Sequence, residues 1–593
     1  MVELTTPTTL TNFEDLLNLI GGWCRYQKTL LAFFFFNCMF LAYAAYTPVL
    51  FLYTPDHFCS VDHIWNATGS QELLWHEDQV LNLLIPIEEF SGKRSKCLMY
   101  NVSVDVVRFC ASTVWFPLNT RLQFTTRGYN LSELTALEME NRTEFEKIPC
   151  SHGWYYNTTG LFTSVITDMD WVCDDAWKGP FSQSMFSIGA LFGTLLFGYM
   201  ADTYGRLSAW YASNIVLMVA GLATPFMSEF IGFSCMRFLQ GMSYDSFFTI
   251  FYVLALECVS SDKRALIGNL ALAIGMTVAG CYEPWTLYFL QNWKILNTIL
   301  YAQVAVIILA PWFVFESIRW LASQGRIDEA YETILKIAKV NGMEIDPSLE
   351  SQIKKILANE EEIKPEGEMQ KKATLLDLMR KPNLRKNFII MVIVFMLTYG
   401  LFDTNVRVIG NLEQSIYITF TISSFLELPA DLLAILGLDW IGRRWSAFTS
   451  LLFSGIAMGV GSLMTSYPLI VMILTMFGRF FVTYALNTAL NIGLEIIPTV
   501  VRGQGLAVGR LMSCLAIFCS PYIVFTGTID KSIPYIIIAI VSFFAACMAT
   551  LLPETADEEL PDTLEDGEKF GKKQSFWNVP FLKNRKETQQ INL

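Results

Sequence analysis

The pentapeptide "DTYGR", Asp202–Arg206, returns late in the chain as "DWIGR", Asp439–Arg443. Both read D-x-x-G-R. The acid stands one helical turn before the arginine, and the glycine sits just ahead of it. Each copy follows one long apolar run and precedes another. Gly205 and Gly442 let the chain turn tightly between two such runs, while the acid and the arginine mark the polar end of a helix. Other pairs keep step with this echo. Glu257 and Arg264 recur as Glu495 and Arg502, and "MRF" at 236–238 is answered by "GRF" at 478–480. The order is the same and the offset nearly constant, so the chain reads as two copies of one unit.

The composition says what that unit is made of. Of 593 residues, 53% are hydrophobic and 16% charged, and the mean hydropathy is +0.39. Such a balance belongs to a chain that crosses a membrane many times. Twelve apolar windows long enough to span a bilayer are expected at 29–51, 180–201, 208–228, 230–256, 265–289, 295–316, 387–407, 412–437, 445–465, 468–494, 505–527 and 533–552. The fold class is therefore an all-α membrane protein of twelve transmembrane helices in two six-helix, pseudo-symmetric halves. Its parts are a cytoplasmic N-terminus (1–28), the first span (29–51), a large outer loop (52–178), spans two to six (179–316) and a cytoplasmic linker (317–386). Spans seven to twelve (387–552) and an acidic cytoplasmic tail (553–593) follow. The linker carries "IDEAYETILKIAKV" and "LESQIKKILANEEEIK", which read as amphipathic or charged helices. Met1 to Lys28 shows no cleaved leader pattern, and the first span is expected to act as the signal.

Orientation follows from short-loop positive charge. Arg25, Lys28, Arg206, Lys263, Arg264, Arg443, Arg444 and Arg502 fall on one side of the twelve-span arrangement, which makes that side, and both termini, cytoplasmic. The loop 52–178 then faces outward. All five N-x-S/T sequons lie in it, at Asn66, Asn101, Asn130, Asn141 and Asn157, as expected of a glycosylated exterior. So do Cys59, Cys97, Cys110, Cys150 and Cys173, candidates for disulfides in an oxidising compartment. Five is odd, so one thiol is left over or pairs elsewhere. Parallel repeats of this kind belong to alternating-access transporters with a site between the halves.

One span is unusually polar. "SIYITFTISSFLELPADLLAIL", Ser415–Leu436, sets Ser415, Thr419, Ser423, Glu427 and Asp431 four residues apart, a single stripe on a helix. A carboxylate at membrane depth costs on the order of 3 kcal/mol. The stripe reads either as the wall of a water-filled cavity offering a counter-charge, or as a buried ion pair with Asp431 reaching toward the cytoplasm. Asp245 and Glu283 are further acids in the spans. Together the acids outnumber the deep bases Arg237 and Arg479, which favours a cationic cargo.

At the level of motifs the chain resembles the major facilitator superfamily, and within it the organic cation/anion/carnitine transporter family. "GYMADTYGRL" at 198–207 matches the superfamily's loop motif, departing at Thr203 and Leu207. "YTPDHFC" at 53–59, "CSHGWYYN" at 150–157 and "WVCDDAW" at 171–177 resemble that family's loop motifs. "ESIRWLASQGR" at 316–326, with Ile318 as a departure, "EIIPTVVRGQG" at 495–505 and "LLPETADEELPDTLED" from Leu551 extend the match to nearly the whole chain. The resemblance implies ATP-independent movement of small organic ions by a rocker-switch motion. It implies that Asp202, Gly205, Arg206, Asp439, Gly442 and Arg443 latch the two halves at their cytoplasmic ends, with Glu257, Arg264, Glu495 and Arg502 in the same network. Glu427, in the E-x-P pattern with Pro429, stands where the cation branch has its acid. Asp431 stands where the anion branch has a basic residue. Asp245 occupies a position often held by Lys in cation members, and Cys514 a position charged elsewhere in the family, with Arg510 one turn earlier. Phe248, Tyr252 and Tyr399 are the aromatics expected to hold an ammonium by cation–π contact.

The expected activity is plasma-membrane transport of small organic cations or zwitterions: amines, choline-like or carnitine-like molecules. The alternatives are an organic anion exchanger and a non-transporting receptor on the same scaffold. The expected partners are the substrate and the bilayer, with no nucleic acid, cofactor or metal. His57, His63, His76 and His152 all lie in the outer loop, so a proton relay in the spans must use a carboxylate. No P-loop, H-E-x-x-H or Ser/His/Asp set points to an ATPase, protease or esterase.

Overall fold

The computed structural model describes residues 13–60, 85–87, 94–100, 147–150, 152–158, 160–260, 268, 270–362, 374–412, 414–556, 558, 560–572 and 574, the side chains of 359–362, 411, 435, 436 and 439 excepted. The chain falls into two compact units, residues 52–177 and the remainder.

The smaller unit holds two antiparallel strand pairs. β1 (His57–Cys59) pairs with β4 (Trp154–Tyr156), Cys59 opposite Trp154, and β2 (Leu98–Tyr100) pairs with β3 (Lys147–Pro149). Disulfides Cys59–Cys150 and Cys97–Cys173 tie these strands, with Cα atoms 5.2 and 5.6 Å apart. Two strand pairs this short bury little, and the cross-links supply much of their stability. Cys110 and the sequons Asn66, Asn101, Asn130 and Asn141 lie outside the described residues. Asn157 is exposed just past β4.

The larger unit is helical. A short α1 (Phe13–Leu19) precedes α2 (Arg25–Phe51). After the smaller unit, with its own α3 (Val165–Met169), come α4 (Lys178–Tyr204), α5 (Arg206–Ala223), α6 (Phe230–Tyr244), α7 (Ser246–Glu257), α8 (Ala271–Leu290) and α9 (Trp293–Ala302). The linker forms α10 (Ile318–Ser323), α11 (Ile327–Asn341), α12 (Glu350–Glu362) and α13 (Leu375–Arg380). The second half is α14 (Pro382–Val408), α15 (Ile416–Ile441), α16 (Arg443–Leu463), α17 (Pro468–Ile496), α18 (Arg502–Phe525) and α19 (Ile533–Ala549), followed by α20 (Leu564–Lys569).

Among the described residues nine helices are long and apolar enough to cross a membrane, and Ile533–Ala549 is a shorter apolar one. The expected window 230–256 is two helices, because α6 ends at Tyr244 and α7 begins at Ser246 with Asp245 between. The window 295–316 starts as α-helix and tightens into a 3₁₀ stretch over Gln303–Trp312. The seventh helix begins at Pro382, inside the stretch assigned to the linker. Proline suits a first helical turn, where its missing N–H is not needed.

Small residues set the helix spacing. Gly189 and Gly193 on α4 and Gly241 on α6 face each other's helix so closely that a Cβ would overlap the Phe238, Met242 and Phe186 carbonyls. This close crossing fixes the height of Asp245, four residues beyond Gly241. Both D-x-x-G-R turns depend on their glycines, Gly205 at φ 109° and Gly442 at φ 88°, values at which any other residue is strained.

Candidate functional site

Glu427 does not stand free in a cavity. It is 5% exposed, and Arg479 of α17 forms an ion pair with it. The Tyr46 hydroxyl of α2 lies 2.7 Å from both carboxylate oxygens. The Arg479 guanidinium also covers the Phe402 ring at 3.9 Å and donates to the Phe402 carbonyl at 3.1 Å. Burial explains the pairing. An ionised carboxylate away from water is stable only beside a positive group and hydrogen-bond donors. Tyr46 belongs to the first half and Glu427 to the second, so this bond joins the halves. The partners are hundreds of positions apart or on different helices, and no local spacing announces them.

A second charged pair also joins the halves. Arg510 of α18 donates to Asp245 through Nε at 3.2 Å and through Nη2, and its guanidinium lies 4.6 Å over the Tyr399 ring. The Arg510 side chain is 31% exposed and that of Asp245 9%, so this pair is open to small molecules as the Glu427 pair is not. Cys514 lies one turn beyond Arg510 on the same helix and beside Asp245. Asp245, Tyr399, Cys514 and Arg510 thus converge, and Arg510 acts here as more than a topology marker.

The other expected binding residues divide. Phe248 and Tyr252 stack on each other (5.9 Å) and on the fully buried Phe34 of α2 (5.8 and 5.9 Å). They form a packed aromatic column rather than a pair of open rings. Asp431 accepts a 2.6 Å hydrogen bond from Asn487. Arg237 has amide partners, Gln240 and Gln183 (2.7 Å to Gln183), between the Phe51 and Phe186 rings. The excess of acid inferred from sequence therefore shrinks once Asp403 pairs with Arg407 at 2.6 Å and Asp245 with Arg510.

At the end of the helices where the linker and tail attach, each half closes on itself. In the first half Arg206 pairs with Asp202 at 2.6 Å. Glu316 accepts backbone N–H groups from Arg206 (3.1 Å) and Leu207 (3.1 Å), Ser317 donates to Glu257, and Trp320 donates to the Asp202 carbonyl at 3.1 Å. In the second half Glu554 accepts from Arg443 N–H (2.7 Å) and Arg444 N–H (3.2 Å), Thr555 donates to Glu495, and Arg443 pairs with Glu495 at 3.3 Å. Burial pushes the Glu554 carboxyl up, against the lowering by the N–H groups of Ala556, Arg443, Thr555 and Arg444. The two assemblies match residue for residue, Glu316 with Glu554 and Ser317 with Thr555. The expected latch across the halves is here a pair of intra-half clasps. Arg264 and the Asp439 side chain lie outside the described residues, and Arg502 turns back to the Ile497 carbonyl at 3.3 Å. Sequence reading missed Glu316 and Glu554 as anchors, although "ES" and "ET" each follow the sixth window of their half.

The contacts that join the halves gather toward the opposite end. Tyr288 of α8 meets Tyr417 of α15 with ring centroids 5.2 Å apart, and Tyr46 meets Phe420 at 5.6 Å. Cys281 lies 3.8 Å from the Thr421 carbonyl, and Ser184 donates to the Phe518 carbonyl at 3.0 Å. The molecule is drawn together at the end bearing the 52–177 insertion, with the Asp245–Arg510 pair as the deepest of these bridges.

Two halves with matching clasps and charged bridges between them find their counterpart in known sequences. The profile of the sugar (and other) transporter family matches residues 153–563. The chain belongs to that family. It is a multi-pass membrane protein of a transporter family and not an enzyme. It is 27% identical to the organic cation transporter 1 of Caenorhabditis elegans, over 96% of this chain and 91% of that one. It is 26% identical to a beta-alanine transporter of Drosophila melanogaster (94% and 89%) and to the human organic cation/carnitine transporter 2 (93% and 93%). The fold is that of the major facilitator superfamily. It aligns with the inward-open xylose transporter XylE of E. coli at a TM-score of 0.52 and 18% identity, covering 68% of this chain and 93% of that one.

Proposed function

We propose that the protein moves small organic zwitterions, and organic cations less tightly, across the plasma membrane by alternating access between its two halves. The twelve helices cross the bilayer with both termini in the cytoplasm and residues 52–177 outside. The observation that carries this reading is the Asp245–Arg510 pair over Tyr399. An acid and a guanidinium, each from a different half and partly accessible, offer opposite charges at one place. A molecule with its own carboxylate and ammonium can replace the pair by bonding to both. A charge-assisted hydrogen bond then draws each half toward the substrate. The relatives named for beta-alanine, carnitine and organic cations support the same substrate class.

Glu427 serves a different end in this reading. Its charge neutralises Arg479 and anchors Tyr46, so it helps close the extracellular side rather than meeting substrate. Arg206 and Arg443, with Glu316 and Glu554, hold each half as a rigid body.

Uptake of radiolabelled beta-alanine, carnitine, choline and a dicarboxylate into cells tests the reading. Arg510→Gln is expected to raise the KM for zwitterions at least about tenfold, which needs only about 1.4 kcal/mol. Choline uptake should be equal or tighter, because Asp245 is freed. Equal loss for both classes would remove Arg510 from substrate contact. Selective uptake of the dicarboxylate would favour the anion-exchanger reading, and surface-expressed protein that moves nothing would favour a receptor.

A further inference from the structure

Glu283 has no part in the pairs described so far. It lies on α8, three residues past Gly280, where a Cβ would meet Ser424 of α15 and, at 3.2 Å, the Tyr46 ring of α2. It is 0% exposed, and neither carboxylate oxygen receives a hydrogen bond among the described residues. The groups that face it are hydroxyls. From α2 come Tyr43 and Thr47, from α9 Tyr301, and Tyr282 of its own helix stands beside Tyr43. From α15 the nearby polar groups are Ser424 and the Thr421 carbonyl. Tyr301 faces both Glu283 and Arg237, but the Arg237 guanidinium is bonded to Gln240 and Gln183.

Thr47 decides the protonation state. Its hydroxyl proton is committed to the Tyr43 carbonyl, 2.6 Å away. What Thr47 can offer a neighbour is a lone pair, and only a protonated carboxyl can use one. An ionised carboxylate buried in a lipid-spanning helix with no cation and no donor costs far more than the neutral acid. The surroundings of Glu283 suit COOH and not COO⁻.

We propose that Glu283 is a proton-binding site that couples substrate entry to proton entry. The closed seam at the extracellular end buries the carboxyl, so the proton is bound from outside before that end closes. It is released to the cytoplasm after the reverse rocking rehydrates the acid. The step is a plain protonation, a carboxylate and a proton giving a carboxylic acid outside and the reverse inside. The direction of coupling rests on the orientation and the zwitterion uptake proposed above; the protonated buried acid does not.

Two measurements on the full-length protein separate these. In voltage-clamped cells, a zwitterion that carries no net charge should evoke an inward current with wild-type protein. Lowering the bath pH from 7.5 to about 5.5 should raise uptake severalfold. Glu283→Gln imitates the neutral acid, so it should still take up label but lose both the current and the pH dependence. Glu283→Asp should keep a pH-dependent current. If wild-type uptake is current-free and flat with pH, or if Glu283→Gln keeps its pH dependence, the coupling is wrong. Failure of both proteins to move any zwitterion would count against the transport reading instead. Infrared difference spectra of purified protein at neutral pH then report on Glu283 without transport. A protonated-carboxyl C=O band that shifts in D₂O should be present in wild type and absent from Glu283→Gln, and its absence from wild type overturns the site.

Discussion

Glu427 and Arg479 form one unit, and removing half of it is worse than removing all of it. Glu427→Gln keeps the shape of the side chain but leaves the Arg479 guanidinium buried, 1% exposed, without its charge partner. Breaking a buried pair this way costs about 3–5 kcal/mol, whereas replacing both members by apolar residues of similar size is often neutral. The thermal midpoint of detergent-purified Glu427→Gln should therefore fall clearly below wild type, and Glu427→Leu/Arg479→Met should recover most of the loss. Equal midpoints for wild type and the single variant would show that the pair is not the anchor described here. At this scale the sequence was half legible. The Ser415–Asp431 stripe and the arginines in "MRF" and "GRF" stood out because charges in apolar runs are rare. Which acid meets which arginine depends on helix rotation and crossing. Glu427 to Arg479, Asp245 to Arg510, and the solitude of Glu283 became visible only with neighbours in place.

Among the elements, the starts of α5 and α16 carry matching anchors. Glu316 and Glu554 each accept N–H groups of the first residues of a helix, where unsatisfied donors and the helix dipole favour a carboxylate. Beyond Glu554 the tail stays docked. Gln574 donates to the Glu554 carbonyl at 2.8 Å, and Glu568 accepts from Asn383 and Leu384 N–H at 2.9 and 3.0 Å, at the start of α14. Glu554→Gln is expected to weaken that hold by about 0.5–2 kcal/mol, the usual range for a lost helix cap. Amide exchange across 553–574 should speed up several-fold while the helices of the first half stay as protected as before. Exchange unchanged in the tail would mean that Glu568 and Gln574 suffice to dock it. The apolar windows located the helices well, because length and hydrophobicity decide that. They could not foresee the break at Asp245 or the 3₁₀ stretch over Gln303–Trp312, since both windows are apolar throughout. The tail looked like solvated acid from its composition, but some of those acids cap helices.

For the whole molecule, the repeat was legible from the D-x-x-G-R pair and its companions, yet the state of the molecule was not. One sequence has to encode both arrangements of the halves, so no motif says which is seen. The geometry does: the halves meet through Tyr46, Phe420, Tyr288 and Tyr417, while the clasps at the other end stay within each half. Tyr46 is the most informative of these, because its hydroxyl is the polar bond from the first half to Glu427. A hydrogen bond to a charged group contributes about 1.5–3 kcal/mol, enough to shift a two-state balance by at least about tenfold. Tyr46→Phe keeps the ring that packs on Phe420 and deletes only the bond, so it should raise the fraction of molecules open to the outside. Cys281 reports on that opening, since its sulfur sits in the seam 3.8 Å from the Thr421 carbonyl. A membrane-impermeant thiol reagent added outside should label Tyr46→Phe several-fold faster than wild type. The added labelling should vanish in Tyr46→Phe/Cys281→Ser, which excludes the other free cysteines. Saturating zwitterion, by drawing Asp245 and Arg510 together around itself, should slow the reaction again. If Tyr46→Phe and wild type are labelled at the same rate, the Tyr46–Glu427 bond does not hold the extracellular side shut, and the closure rests on the aromatic contacts alone.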